Sequence, residues 1–151
     1  MSFIHFNETQ TFNLSNTSFD NLPYETVNDI FKDGRVFSHF IEKWLEQEYN
    51  DLKHVSGCKK YDFVDINNPE IKYDQKTFTK LGCKFMPSNM IGQGRTFNRE
   101  EFEEKTKKLM FIIVSNTNFP EIKVKFMKGE DLLKMYPNGK ILSSKHNEFF
   151  N

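Results

Sequence analysis

The chain has 151 residues and a net formal charge of +0 at pH 7, but its charges are unevenly distributed. Residues 1–50 contain 3 Lys or Arg against 8 Asp or Glu, and residues 51–151 contain 18 against 13. The length fits one domain, 1–151, and no stretch approaches the roughly 20 apolar residues of a membrane span, so we expect a cytoplasmic protein without a membrane partner.

The N-terminus and the cysteines argue against two further classes. The first residues lack a basic start followed by an apolar run, so secretion is not expected. Cys58 and Cys83 are too few and too far apart for a zinc site of their own. We therefore expect two reduced thiols in a cytoplasmic protein.

The segment 1–54 is expected to be mainly helical. A short hairpin is predicted for Phe3–Phe6 and Thr11–Leu14, followed by a helix from an Asn21 cap to Asp33. A longer helix is predicted over about Arg35–Leu52, because its apolar residues recur at three- and four-residue steps.

The segment 55–135 alternates between strands and helices. Asn98 should cap a helix to about Lys108, because Glu101 follows at capping-box spacing. Two strands, Tyr61–Ile66 and Glu70–Tyr73, are predicted on either side of a turn at Asn67–Pro69, and a loop-rich stretch, Asp74–Asn98, follows them. The remaining predicted elements are the strands Met110–Val114 and Glu121–Met127 and the helix Gly129–Met135. This order predicts an α/β or α+β domain with a mixed central sheet flanked by helices.

Three side chains on the first two of these strands suggest phosphodiester hydrolysis. Such a site needs a divalent cation, and Mg²⁺ prefers one or two carboxylates completed by water and phosphate. Asp62 on one strand and Glu70 on the next are predicted to hold Mg²⁺, with the Ile71 carbonyl as a further candidate ligand. Lys72 shares a strand face with Glu70, so its amine is predicted to assist the attacking water.

An acid-x-Lys triplet is not specific on its own, because five occur in the chain. Glu70 is favoured because its triplet alone follows a strand-borne Asp directly. Asp51 and Glu103 fall on predicted helices, and the strand before Glu121 holds no acid. The four other triplets are Asp51-Leu52-Lys53, Asp74-Gln75-Lys76, Glu103-Glu104-Lys105 and Glu121-Ile122-Lys123.

The run Tyr61-Asp62-Phe63-Val64-Asp65 followed by Glu70-Ile71-Lys72 resembles the catalytic core of the PD-(D/E)xK nuclease superfamily. It is most similar to small homodimeric type II restriction endonucleases, and the likeness covers about residues 55–135. The resemblance implies a restriction-endonuclease-like fold in which the upstream acid and Glu70 hold Mg²⁺ while Lys72 assists the water. No Pro precedes Asp62, and either Asp62 or Asp65 is the upstream ligand, with Asp62 favoured.

A basic segment follows the predicted catalytic strands. From Gln75 to Arg99 there is no acidic residue, which places positive charge where phosphates must approach. Polar and Arg side chains there could read bases in the major groove. The predicted DNA-binding residues are Lys76, Lys80, Lys84, Ser88, Asn89, Gln93, Arg95 and Arg99.

These observations favour a Mg²⁺-dependent endonuclease of double-stranded DNA, and in particular a sequence-specific restriction enzyme. Double-strand cleavage suggests a homodimer, with the acidic segment 1–54 as its interface because that part should avoid phosphate. Glu46 or Glu48 could also reach the metal from the long helix. The alternatives are a homing or phage endonuclease with the same core, a non-catalytic DNA-binding protein on this scaffold, and a protein-interaction domain.

Overall fold

The computed structural model describes residues 1–16, 18–57 and 60–151, and within them the fold is a mixture of strands and helices. The strands are β1 (Thr9–Asn13), β2 (Leu52–His54), β3 (Phe63–Asp65), β4 (Lys72–Phe78), β5 (Cys83–Lys84), β6 (Met110–Ser115), β7 (Glu121–Lys128) and β8 (Lys140–Ile141). The helices are α1 (Tyr24–Lys32), α2 (Gly34–Glu48), α3 (Arg99–Lys108), α4 (Gly129–Met135) and α5 (His146–Phe149).

Six of the strands form one mixed sheet in the order β1-β7-β6-β4-β3-β2. All neighbours are antiparallel except β4 and β6, which run parallel and are connected through α3. A parallel pair needs such a crossover, because its second strand must start again at the same edge of the sheet. Strands β5 and β8 pair separately as a two-stranded antiparallel ribbon.

Each face of the sheet is covered by its own apolar cluster. On one face, Phe37, Ile41 and Leu45 of α2 pack against the sheet. On the other, Phe102 of α3 and Phe149 of α5 join a second cluster. Each side chain of this size stabilises the fold by about 1.5–3 kcal/mol when fully buried. The two clusters make a helix–sheet–helix sandwich around a sheet that is buried on both sides.

Several predicted elements are confirmed, because strong local signals place them. The predicted Asn98 cap forms, because Asn98 Oδ1 accepts from Glu101 N at 3.0 Å at the start of α3. Helix α2 begins beside its predicted start, where the Asp33 carboxylate accepts hydrogen bonds from its first backbone N–H groups. The strands β6 and β7 and the helix α4 also lie where apolar patterning predicts them.

Other predicted elements of the N-terminal part are wrong. The expected hairpin of Phe3–Phe6 and Thr11–Leu14 does not form, because β1 pairs with β7 instead. The long helix ends at Glu48, and Leu52 begins β2. The segment 1–54 therefore supplies two strands of the central sheet as well as helices, so the sheet is not confined to residues 55–135.

The strand after the predicted turn is also displaced from its expected place. Glu70 lies in the turn rather than on a strand, and β4 starts at Lys72. It then continues to Phe78, through residues that were expected to be loop. Pairing with β6 along its whole length stabilises β4, and it buries Tyr73, Gln75 and Phe78 despite the charged residues between them.

Candidate active site

Asp62 lies just beyond the end of β3 and close to Asp74 of β4. The β3–β4 ladder ends where Phe63 pairs with Tyr73. Asp62 N donates to Tyr73 O at 2.9 Å, and Asp62 Oδ2 accepts from Gln75 N at 2.8 Å. The Asp62 carboxylate thus accepts a backbone N–H of β4 just beyond the end of β3, and this hydrogen bond fixes its orientation.

Lys76 completes a group of three charged side chains. Its Nζ lies 3.2 Å from Asp74 Oδ2, and both side chains are about one-fifth exposed, at 20% and 18%. Asp74 and Lys76 are two residues apart on β4, so they project from the same face of the sheet. Asp74-Gln75-Lys76 is therefore the acid-x-Lys triplet that faces the upstream Asp62.

Asp62 lies close enough to Asp74 to affect the ionisation of the Asp74 carboxyl group. Burial raises the pKa of Asp74 to about 7; the Lys76 ammonium lowers it, and a hydrogen bond with Asp62 and that residue's negative charge raise it further. Two carboxylates sharing one site resist ionising together, which is typical of sites that hold a cation or move protons.

Cys83 of β5 lies beside this group and is buried. Burial raises the pKa of the Cys83 thiol to about 12, with the Lys76 charge lowering it and the Asp74 charge raising it. The thiol therefore stays protonated and serves as an apolar neighbour of the charged pair. The other predicted thiol, Cys58, lies outside the described residues.

The triad predicted from the sequence is not assembled as expected. Glu70 is exposed in the turn, where its N–H donates to Asn68 Oδ1 at 3.2 Å, and within the described ranges no hydrogen bond or ion pair joins it to Asp62. The Ile71 carbonyl accepts from Asp65 N at 3.0 Å, as part of the hairpin. Glu70 and Ile71 thus lie at the turn end of the hairpin, away from the carboxylate pair.

Lys72 and Asp65 have other surroundings. Lys72 lies on the same strand face as Asp74, with its Nζ 5.1 Å from the centre of the Tyr61 ring. Asp65 Oδ1 accepts from Asn67 N at 2.8 Å and Asn68 N at 3.1 Å, so its carboxylate organises the turn. Of the two acids that the sequence leaves open, it is Asp62 that faces a second carboxylate.

The acids of α2 are engaged at the edge strand β2, the neighbour of β3, and at the N-terminus. Glu46 Oε2 accepts from His54 N at 2.5 Å, and Glu42 lies 3.3 Å from His54 Nε2. Glu48 accepts from the hydroxyl of Ser2 at 2.7 Å. These contacts fasten α2 to β2 and to the N-terminus, and none of them reaches Asp62 or Asp74.

The predicted DNA-binding residues fall into separate places. Lys76 belongs to the charged group, and Lys80 lines a cavity of about 680 Å³ together with Lys32 and Arg35. Lys84 and Arg99 line a second cavity of about 530 Å³. The others lie on the loop before α3: the Arg95 guanidinium donates to the Ser88 carbonyl, while Asn89 and Gln93 are exposed.

The described residues contain no group of three or more His, Cys, Asp or Glu side chains arranged to hold a metal ion. The candidate site has two carboxylates, which is the usual protein contribution to a Mg²⁺ that keeps several waters. Also within the described ranges, no helix is long and apolar enough to cross a membrane.

Comparison with known proteins gives no match of any of three kinds: no family model, no curated protein and no solved structure is similar to this chain. The function must therefore be argued from the site itself.

Proposed function

We propose that this chain is a Mg²⁺-dependent endonuclease that hydrolyses double-stranded DNA, with a catalytic centre formed by Asp62, Asp74 and Lys76. The observation that carries the proposal is the closeness of the first two carboxyl groups: Asp62 Oδ2 accepts from Gln75 N at 2.8 Å, directly beside Asp74, and the Lys76 ammonium lies 3.2 Å from Asp74. This proposal keeps the predicted Asp62 and replaces the predicted Glu70 and Lys72 with Asp74 and Lys76, four residues further along the chain.

The donor set fits Mg²⁺. Asp62 and Asp74 offer hard carboxylate oxygens from adjacent strands, and the pKa of Asp74, raised by burial and by Asp62, marks a place where added positive charge is favourable. When bound there, the ion would polarise the phosphate and lower the pKa of a bound water. The two carboxylates hold and orient that ion in the proposed centre.

Lys76 has the position required of the amine in such a centre. Its Nζ shares one strand face with Asp74, so it can donate a hydrogen bond to the attacking water and offset charge that develops on the phosphate. The partly buried setting strengthens both effects, because little solvent separates the charges.

The elements around the centre support a PD-(D/E)xK-type core. An Asp precedes β3, the acid-x-Lys triplet lies on β4, and a helix and two strands follow, as the resemblance implies. The acid of this triplet is an Asp rather than a Glu, and both types occur in that motif. We further propose duplex DNA as substrate, because the acid-free segment from Gln75 to Arg99 begins within this triplet, and a restriction-type homodimer as the acting species.

The test compares two lysines that occupy matching motifs. Plasmid DNA is incubated with the purified chain in Mg²⁺ and, separately, in EDTA. Wild type should cut only with Mg²⁺, and Lys76→Ala should lower the cleavage rate by at least about 100-fold. Lys123→Ala is the control, since Lys123 lies 3.9 Å from Glu121 in another acid-x-Lys triplet, on β7.

Two results would contradict the proposal. One is DNA binding without cleavage in Mg²⁺, which is the behaviour of a non-catalytic binding protein on this scaffold. The other is cleavage that Lys76→Ala leaves intact. Absence of any salt-dependent DNA affinity would favour the third alternative, a domain that interacts with protein.

A further inference from the structure

The two-stranded ribbon of β5 and β8 brings two lysines directly opposite each other. Lys84 pairs with Lys140 in the register of the ribbon, and both side chains are exposed. Like charges facing each other across a strand pair destabilise it. Neither ammonium makes an ion pair with any residue that the structure describes, so this repulsion is not relieved within those parts of the chain.

Both lysines line the cavity of about 530 Å³, and we name it the ribbon cavity. Arg99 is the third cation on its wall. Its guanidinium is fixed by Pro137 O and Asn138 Oδ1, each at 3.0 Å, and it lies 3.6 Å from the Glu103 carboxylate. The lining residues that the structure describes include no Asp or Glu. The cavity is thus suited to an anionic group.

The floor of the ribbon cavity is apolar. Met86 and Met90 are buried beneath it, at 7% and 6% exposure, while the Phe97 ring on its wall is 38% exposed. The Arg99 guanidinium lies 5.5 Å from the centre of the Phe97 ring, which holds that ring beside the cations. A flat apolar ring next to a cationic wall matches a ligand with an aromatic part and a phosphate.

The ribbon cavity adjoins the proposed catalytic centre. The residue before β5, Gly82, exchanges backbone hydrogen bonds of 2.9 and 3.0 Å with Thr79 at the end of β4, so β5 starts beside the strand that carries the charged group. Cys83, the residue before Lys84 on β5, lies within reach of those charges. Neighbouring residues of a strand project to opposite sides, so β5 separates the charged group from the cavity by one strand thickness. A nucleic-acid strand whose phosphate lies at the centre could therefore extend an adjacent nucleotide into the cavity.

We infer that the ribbon cavity binds one unstacked nucleotide of the DNA, with its base on Phe97 and its phosphate between Lys84 and Lys140. The inference rests on the proposed function for the choice of DNA as ligand. Base–aromatic stacking and backbone neutralisation are the two interactions by which proteins hold unpaired nucleotides. A single strand and a distorted duplex both offer such a nucleotide, and the experiment separates the two sources.

The experiment measures binding rather than cleavage, with EDTA present throughout. A fluorescein-labelled single-stranded oligonucleotide and its duplex are titrated with wild type, Phe97→Ala, Phe97→Leu and Lys140→Ala. Both Phe97 variants should weaken single-strand binding about tenfold. Lys140→Ala should reduce the slope of log Kd against log salt by roughly 0.7 on single strands. Phe97→Leu retains apolar volume against Phe102, 5.4 Å away, in case Phe97→Ala does not fold.

Controls and a second readout complete the design. Phe19→Ala and Lys43→Ala remove an exposed Phe and an exposed Lys elsewhere, and should change neither quantity. Phe97→Trp should bind as wild type does, and its fluorescence should be quenched by the oligonucleotide through stacking. If the duplex also quenches it, the nucleotide is taken from a distorted duplex; if only the single strand does, it is taken from single strands. Both results agree with the inference.

Three results would overturn the inference. Two of them are an unchanged affinity for DNA in both Phe97 variants and a Phe97→Trp fluorescence that neither DNA quenches. The third is displacement of the labelled oligonucleotide by inorganic phosphate as strong as that by a nucleoside monophosphate. These failures differ from a failure of the nuclease proposal. Stacking on residue 97 without cleavage in Mg²⁺ would contradict only the proposed nuclease function. Cleavage without stacking would contradict only the proposed nucleotide binding in the ribbon cavity.

Discussion

The carboxyl groups of Asp62 and Asp74 lie close together beside the end of the β3–β4 ladder, so the charge of Asp62 acts on Asp74. Each is also fixed by a contact of its own, Asp62 by the Gln75 N–H at 2.8 Å and Asp74 by the Lys76 ammonium at 3.2 Å. Two acids held together in this way are costly to the fold unless they serve a cation or a proton, so this pair is where function is expected.

Asp62 has a structural role and a proposed metal-binding role, and two substitutions should separate them. Asp62→Asn retains an oxygen that can accept from Gln75 N but loses the charge, so its folding should be close to that of wild type while its Mn²⁺ affinity falls at least about tenfold. Asp62→Ala also leaves the Gln75 N–H without this acceptor, which should lower the free energy of unfolding by about 1–3 kcal/mol. Urea unfolding and Mn²⁺ titration calorimetry give the two quantities. Equal metal affinity in Asp62→Asn and wild type would rule out Asp62 as a ligand.

The raised pKa of Asp74 predicts a specific pH dependence of stability in EDTA. Folding lifts this pKa from its ordinary 3.8 to about 7, so between these values the folded chain keeps a proton that the unfolded chain has lost. The stabilising contribution is therefore present below about pH 4 and is lost as pH rises to about 7. Asp74→Asn has no such titrating group. The free energy of unfolding of Asp74→Asn minus that of wild type should therefore increase by about 2–4 kcal/mol from pH 4 to pH 8. Urea unfolding across this range tests this, and a difference that does not change with pH contradicts the assignment.

Gly129 is predicted to be indispensable for the junction of β7 and α4. A Cβ there would lie 1.8 Å from Thr106 O and 2.6 Å from Leu109 O, both of them backbone atoms. Gly129→Ala should therefore destabilise the fold by more than about 3 kcal/mol, or prevent folding, because the backbone must move. Gly94→Ala is the control: Gly94 has φ +76° but open space around it, so only about 1 kcal/mol of left-handed strain is expected. Thermal unfolding of the two variants compares them, and equal losses would contradict this packing.

Much of the fold is predictable because local signals are strong. The Asn98 cap defines the start of α3, and the apolar run Met110–Val114 predicts a buried strand. The pairing of β1 with β7 was missed because it joins residues more than 100 positions apart, and no local pattern encodes it. The short strands β2, β5 and β8 are likewise defined by their partners rather than by their own residues.

The proposed catalytic triplet differs from the predicted one for another reason. Phe63 pairs with Tyr73 and Val64 with Lys72, which leaves Glu70 in the turn. The predicted strand ends at Tyr73, whereas β4 continues to Phe78. The charged residues on either side of Gln75 conceal this continuation, because they share one face of the strand with the buried Phe78.

The most direct test of the central claim compares the two rival acids in one cleavage assay. Asp74→Asn and Glu70→Gln are each incubated with plasmid DNA and Mg²⁺, after urea unfolding has confirmed that both fold. If Asp62 and Asp74 form the metal site, Asp74→Asn should lower the cleavage rate by at least about 100-fold, while the rate of Glu70→Gln should stay within about twofold of wild type. Loss of cleavage in Glu70→Gln together with normal cleavage in Asp74→Asn would contradict the account.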